Sequence, residues 1–303
     1  MKAMILAAGL GTRLRPLTND RPKALVELNN RTLLEITLTL LRTFGVTEAI
    51  INVHHFADMV IDYLKSKNNF NMRLEISRED DQLLDTGGGL KKAAWFFQEN
   101  PAQGEVLAAL RPSPNSDPEP FFLHNVDVLS NIDLNAMLLF HQQNQALATL
   151  AVQSRQSSRQ LLFNDQLQLS GRRIHNQDEL VHASVANTAN AKICHSERSE
   201  ESAFSSNSPL ATSHSFTPSS EGPLPQSREF SSLLLPLAFS GIHVISPRLL
   251  PLLTESAPAF SIIDSYLRLA SHGEKILAFR HDNSYWRDLG KPADLAQAAL
   301  DLK

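Results

Sequence analysis

Apolar residues in the first half of the chain follow two alternating rhythms. Short apolar runs at residues 2–8, 49–53, 73–77, 120–124 and 146–153 read as strands, and between them apolar positions recur at helical spacing. The clearest helix, over 32–44, gathers Leu33, Leu34, Leu38, Leu41 and Phe44, with Gly45 placed to stop it. Further helices are predicted over 56–66, 88–97 and 133–143. Strands alternating with helices are the pattern of βα units, so the expected class is α/β, three-layered and Rossmann-like. Asn164-Asp165, set between two apolar runs within 161–169, reads as a short hairpin and makes the mostly parallel sheet a mixed one.

After about residue 175 the pattern fails. Residues 192–232 hold 13 serines and four prolines with little apolar periodicity, the composition of a disordered insertion. Regular patterning returns as a strand over 237–245, a helix over 261–271 and a strand over 275–279. A closing helix begins near Pro292, which suits a first-turn position. The regular segments flanking the insertion are too short to stand alone. The expectation is a single domain over 1–303, interrupted at 192–232, with no internal repeat.

Bulk composition narrows the function classes. A chain of 303 residues, 42% hydrophobic and 20% charged, can bury a substantial core. A formal net charge of −4 gives no general attraction for nucleic acid or an anionic membrane, so neither is expected as a partner. The single cysteine, Cys194, excludes an intramolecular disulfide framework and fits a reducing compartment. The start of the chain offers one positive charge and a short apolar run, but Gly9-Leu10-Gly11-Thr12-Arg13 interrupts it, so it reads as a buried strand, not a signal peptide. No stretch approaches the roughly 18 to 20 apolar residues that span a bilayer. A soluble, cytoplasmic protein is expected; oligomeric state is not legible.

The first strand runs straight into Gly9-Leu10-Gly11-Thr12-Arg13-Leu14-Arg15-Pro16-Leu17. Two glycines let the backbone turn sharply and aim N–H groups at an anion, and Arg13 and Arg15 add charge-assisted donors. A P-loop would need Gly-Lys-Ser/Thr where Gly11-Thr12-Arg13 stands. A dinucleotide fingerprint would need glycine where Leu14 stands.

Residues Leu6 to Thr18, Leu-Ala-Ala-Gly-Leu-Gly-Thr-Arg-Leu-Arg-Pro-Leu-Thr, with Pro22-Lys23-Ala24-Leu25 after them, resemble the signature of the sugar-1-phosphate nucleotidyltransferases. The resemblance implies the nucleotide-diphospho-sugar transferase type of fold. It also implies that Leu6, Ala7, Ala8 and Gly9 lie near the base, that Gly11, Thr12 and Arg13 hold the nucleotide phosphates, and that Lys23 contacts the reacting phosphates.

A second group of residues completes the expected site. Asp85-Thr86-Gly87-Gly88-Gly89-Leu90 precedes a helical run, and three consecutive glycines cost about 1 kcal/mol each in backbone entropy relative to alanine. We read them as room for a planar base or sugar, with Gly87 and Gly88 binding nucleotide. Phe121 to Val128 gives an apolar strand ending in Asp127, a hard oxygen ligand suited to Mg²⁺. The resemblance makes Asp127 the catalytic metal-binding aspartate and places Asn125 at the sugar phosphate. Val126 stands where the family commonly has glycine, which would crowd that phosphate. Tyr285-Trp286-Arg287-Asp288-Leu289-Gly290 resembles the segment whose aspartate, here Asp288, supplies the second metal carboxylate. Phe239 to Val244 resembles the strand bordering the sugar pocket, with Gly241 at the sugar phosphate. The family's Glu-Lys-Pro element, whose lysine binds the sugar phosphate, is absent. A compact branch resembling N-acetylmuramate-1-phosphate uridylyltransferase lacks it too and shares the Thr-Gly-Gly-Gly wording. His54-His55 would point apart on a strand end and do not read as metal ligands.

The implied reaction joins a nucleoside triphosphate to a sugar 1-phosphate with Mg²⁺ as cofactor. The first substrate expectation is UTP with N-acetylmuramate 1-phosphate, the second GTP with mannose 1-phosphate. The rival from another class is a non-catalytic nucleotide-sugar sensor or regulatory subunit, motivated by Val126 and the insertion. A kinase is disfavoured because no Walker lysine and no kinase lysine with Asp-Phe-Gly is present.

Overall fold

The structure, a computed structural model, describes residues 1–98, 119–181 and 234–302. The insertion expected at 192–232 lies outside them. Within the described residues, those of Met1–Ala183 and Leu234–Lys303 belong to one compact unit. In chain order the first half runs β1 (Lys2–Leu6), β2 (Glu27–Leu28), β3 (Arg31–Thr32), α1 (Leu33–Thr43), β4 (Glu48–Val53), α2 (Ala57–Ser66), β5 (Arg73–Arg78) and α3 (Asp85–Lys92). Then follow β6 (Phe121–Asn125), β7 (Val128–Ser130), α4 (Leu134–Gln143), β8 (Ala148–Gln153), β9 (Arg159–Phe163), β10 (Leu169–Ile174) and β11 (Gln177–Leu180). The remainder is β12 (Leu235–Ile245), α5 (Ile262–Ser271), β13 (Ile276–Arg280), β14 (Trp286–Asp288) and α6 (Pro292–Asp301).

The main sheet has the order β11-β10-β9-β12-β6-β1-β4-β5, and β8 and β13 join it through β12. Ala3, Met4 and Ile5 on β1 are fully enclosed, as an apolar run in a sheet covered on both faces should be. Alternation along the strand sends Ala3 and Ile5 to one face, against Leu34 and Leu38 of α1, Val60 of α2 and Leu295 of α6. Met4 faces the other way, toward Leu90 of α3 and Tyr266 of α5. The fold is therefore the expected three-layer mixed α/β arrangement.

Local chemistry explains where elements start and stop. Thr32 accepts a hydrogen bond from the Glu35 N–H at 3.0 Å, so it caps α1, which begins one residue later than the apolar spacing predicts. Gly45, at φ +82°, terminates that helix region. The hairpin turns between β9 and β10, where Asn164 Oδ1 accepts from the N–H groups of Gln166 at 3.0 Å and Gln168 at 2.9 Å.

Sheet polarity positions the site. β1 runs parallel to β4 and β6, and the register sets Leu6 beside both Asn52 and Asn125. The carboxyl ends of three adjacent strands thus open on one edge, where ligands of open α/β sheets collect. β12 is antiparallel to β6, β8 and β9, and its pairing with β8 breaks between Phe239 and His243. Gly241, at φ +76°, lies in that break.

Four imidazoles are sealed in this core. Burial lowers the pKa of His124, His141 and His281 to about 4 and that of His243 to about 3. The unfolded chain binds these protons near pH 6.5 while the native protein does not, so stability is complete above that pH and is lost as pH falls toward about 4. The urea midpoint should therefore drop between pH 7 and pH 5. An unchanged midpoint would show that the histidines are already exposed.

Candidate active site

The glycine loop is built from two different kinds of glycine. Gly11 adopts φ +64°, and a Cβ there would lie 3.0 Å from Thr18 Cγ2 and 3.2 Å from Lys23 Cβ. Thr18 Oγ1 donates to the Gly11 carbonyl at 2.8 Å, which ties the loop to the segment carrying Lys23. A Cβ at Gly9 would meet nothing within 4 Å, so its bareness serves no internal packing. Gly11→Ala is accordingly expected to lower the melting temperature, since a left-handed non-glycine residue costs roughly 1–2 kcal/mol. Gly9→Ala should leave the melting temperature unchanged and weaken nucleotide binding. Thermal unfolding with and without nucleotide distinguishes the two.

Leu6, Ala7, Ala8, Gly9 and Lys23 line a cavity of about 360 Å³ beyond the end of β1. Its far wall contains two residues that sequence reasoning missed. The Ala7 N–H donates to Asn52 Oδ1 at 2.7 Å, and Asn52 Nδ2 donates to Glu79 Oε1 at 2.7 Å. Glu79 Oε2 in turn accepts the Leu84 N–H at 2.9 Å. A buried carboxylate with these partners fixes the backbone just after β1. The only sequence signal was an asparagine interrupting the apolar run Ile50-Ile51-Asn52-Val53.

The glycine triplet is placed differently from the expectation. Asp85 and Thr86 line the cavity, but Gly87 and Gly88 do not. Their N–H groups both donate to the Phe260 carbonyl, at 2.9 and 3.3 Å. A Cβ at Gly87 would overlap the Phe260 ring, and one at Gly88 would overlap the Pro258 carbonyl. Close approach is thus the reason for these glycines, but what approaches is the 258–260 segment. They also lie inside α3, which starts three residues before the predicted helix and ends at Lys92.

Charge is concentrated where the strands end. Lys23 Nζ donates to Asp127 Oδ2 in a mostly enclosed pair. Asp288 faces Asp127, because β14 pairs with β7 in a register that sets Asp288 against Val128. Arg13 Nη2 lies 3.8 Å from Asp288 Oδ2. Burial opposes ionisation of Asp127, yet the Lys23 charge and hydrogen bonds from Lys23 and Asp288 outweigh it and hold the carboxyl below its usual range. Burial and the facing Asp127 raise Asp288, against the pull of Lys23 and Arg13. Thr12 and Arg15 stay on the exposed side of the loop. The donor set fits Mg²⁺, which is held by one or two carboxylates and completes its shell with phosphate oxygens and water. Among the described residues no group of three or more His, Cys, Asp or Glu could form an all-protein cage. His54 Nδ1 is engaged with the Glu79 carbonyl.

A second cavity, of about 460 Å³, is also lined by Asp127. Asn125 and Asp127 line both spaces, while Gly241, Asp288, Arg155 and Trp286 line the larger one only. A Cβ at Gly241 would lie 2.8 Å from both Asn125 Nδ2 and Val128 Cγ2, so the glycine lets β12 pass close behind Asn125. Val126 does not crowd this space. It is 3% exposed, packs in the core and borders the smaller cavity.

A cavity lined by a glycine loop and a lysine at the carboxyl ends of parallel strands lies where open α/β sheets collect their ligands, so the fold and site are those of the ligand-binding α/β class. Residues 2–161 match the family described as nucleotidyl transferase, and the chain belongs to that family. It is 50% identical over 101 residues to N-acetylmuramate alpha-1-phosphate uridylyltransferase of Caulobacter vibrioides, covering 33% of this chain and 42% of that protein. It is 34% identical over 153 residues to mannose-1-phosphate guanyltransferase of Emericella nidulans, covering 50% of this chain and 37% of that protein. The chain therefore spans less than half the length of either relative. Its fold matches that of HddC from Yersinia pseudotuberculosis, solved with GMP-PN, at a TM-score of 0.62 and 17% identity, covering 100% of this chain and 99% of the other. No helix among the described residues is long and apolar enough to cross a membrane.

Proposed function

We propose that the chain condenses a nucleoside triphosphate with a sugar 1-phosphate. A sugar phosphate oxygen forms a bond to the α-phosphorus while the bond from that phosphorus to the bridging oxygen breaks, and pyrophosphate leaves with those electrons. The observation that supports this most is the pair of cavities sharing Asn125 and Asp127, one beside the glycine loop and one beside Gly241. Two substrates, one in each cavity, would bring their phosphates together at these shared residues. The nucleophile is already an anion at neutral pH, so catalysis rests on positioning and charge neutralisation, not on a strong base.

In this reading Leu6 to Gly9 border the base, and Gly11, Thr12 and Arg13 receive the triphosphate. Lys23 neutralises charge at the transferring phosphate, and Asn125 and Gly241 shape the sugar phosphate side. Mg²⁺ held by Asp127 and Asp288 would supply charge neutralisation between the two phosphate groups. The likeness to the Caulobacter uridylyltransferase favours UTP with N-acetylmuramate 1-phosphate, and the Emericella relative keeps GTP with mannose 1-phosphate as the second pair. The test is a pyrophosphate-release screen of the four nucleoside triphosphates against a panel of sugar 1-phosphates. Nucleotide binding without turnover for every pair would instead indicate a sensor or regulatory subunit.

A further inference from the structure

The larger cavity contains four arginines, Arg155, Arg159, Arg172 and Arg173. Two are neutralised within the protein. Arg172 Nε lies 2.7 Å from Glu179 Oε2 with Asp264 on its other side, and Arg173 Nε lies 2.5 Å from Asp178 Oδ1. Arg159 is exposed, where solvent screens its charge. Arg155 is unlike the others. It is half-buried, and its hydrogen-bond partner is a neutral acceptor, the Phe239 carbonyl at 2.7 Å from Nη2. Its guanidinium lies 3.8 Å from the centre of the Trp286 ring, and its Nε is sealed from solvent without an acceptor.

Among the described residues Arg155 makes no direct ion pair: Asp288, across the same cavity, acts on it only through its charge, and burial outweighs that attraction. A half-buried cation so weakly compensated is unfavourable for folding alone and leaves room for an anion from outside. The surroundings hold it in place. Trp286 Nε1 donates to the Ser240 carbonyl at 2.8 Å, fixing the ring beneath the guanidinium. The Ser154 N–H donates to Asp282 Oδ1 at 2.6 Å, and Gln153 Nε2 donates to the Ser284 carbonyl at 2.9 Å, anchoring the chain on the approach to Arg155. The other cations at the centre are engaged: Lys23 with Asp127, Arg13 with Asp288.

We propose that Arg155 grips the phosphate of the sugar 1-phosphate, orienting its attacking oxygen toward the Asp127–Asp288 centre. The inference rests on the condensation reaction proposed above. It assigns to this chain's own loop after β8 the cation that the sequence lacks as a Glu-Lys-Pro lysine. A guanidinium stacked on an aromatic ring keeps in-plane donors that match two phosphate oxygens, and a carboxylate-rich centre needs such a donor to admit a second anion.

The experiment uses the triphosphate and sugar 1-phosphate pair that the release screen identifies, with KM for each substrate measured separately on wild type, Arg155→Gln and Arg155→Lys. Loss of one charge-assisted pair should raise the KM for the sugar 1-phosphate by about 10-fold or more in Arg155→Gln, leave the KM for the triphosphate within about two-fold, and be partly reversed by lysine. Should Arg155→Gln fold too poorly to assay, Arg155→Lys decides alone, by the same split between the two KM values. A structural prop for Trp286 would instead lower the melting temperature and leave the sugar KM unchanged, which overturns the proposal. Wild type active with unaffected variants removes this inference only; wild type inactive with every pair removes the proposed reaction and the inference together.

Discussion

Lys23→Ala is expected to reduce turnover by on the order of 10²-fold or more while the protein still folds. A positioned cation at the transferring phosphate acts where charge accumulates, in a partly enclosed site, and losing one such donor has effects of this size. The structure adds a second consequence. Lys23 and Asp127 are both mostly enclosed, at 13% and 14% side-chain exposure, so removing the lysine leaves Asp127 facing Asp288 without its cation. An unpartnered buried carboxylate is destabilising, so the melting temperature should fall as well. Lys23→Ala combined with Asp127→Asn removes the stranded charge. The double variant should therefore regain stability relative to Lys23→Ala but none of the turnover. If the single variant, shown to be folded by circular dichroism, keeps near-normal rate, Lys23 is not at the reacting phosphate. If stability and activity return together, the pair is structural.

Much of this site was legible because its chemistry is local in sequence. A strand, a turn with Gly9 and Gly11, and Pro22-Lys23 follow one another within a few residues, and the main chain alone brings Lys23 back under Gly11. Asp127 was legible for a related reason, since a carboxylate ending an apolar strand must emerge at the ligand edge of a parallel sheet. Arg155 was not. It stands in the polar stretch Ser154-Arg155-Gln156-Ser157-Ser158, and what makes it unusual is burial against Trp286 and Phe239, residues distant in sequence that only the tertiary fold delivers. Asn52 and Glu79 are similar: each is unremarkable alone, and the hydrogen-bonded relay to Ala7 exists only because β4 lies beside β1.

The glycine triplet shows a different limit. Three glycines announce that something comes close, and the sequence says nothing about what it is. In the structure the approaching group is the protein's own 258–260 segment, which also accepts the N–H groups of Gly87 and Gly88 through Phe260. The triplet still serves the site indirectly, because a Cβ at Gly89 would lie 2.8 Å from Asn52 Nδ2 and 2.9 Å from Glu79 Oε1. Bare backbone here lets α3 press on the relay that positions the loop after β1. An expectation about a ligand thus becomes one about packing that supports the ligand's cavity.

Asp127 and Asp288 are expected to act as one unit, and two measurements of opposite sign should show it. Replacing either by Asn should lower turnover sharply and weaken its dependence on Mg²⁺. The double variant should be little worse than the worse single one, because residues that hold one ion lose the same interaction only once. Stability should move the other way for Asp288. Burial and the facing Asp127 raise its pKa in the folded protein, so at pH values above the usual carboxylate range its ionisation favours the unfolded chain. Asp288→Asn removes that penalty, and the amide can still accept the Gly290 N–H that Asp288 Oδ1 takes at 2.8 Å while donating to Asp127. In Mg²⁺-free buffer at neutral pH the inactive Asp288→Asn variant should therefore melt above wild type. The gain should vanish in acid, below the usual carboxylate pKa, where wild-type Asp288 is protonated in both states. Saturating Mg²⁺ with nucleotide should stabilise wild type more than the variant and shrink or reverse the difference. Single variants whose losses multiply in the double variant would mean that the two carboxylates do not share an ion; an Asp288→Asn protein that melts no higher than wild type at neutral pH would mean that burial beside Asp127 does not penalise the ionised Asp288.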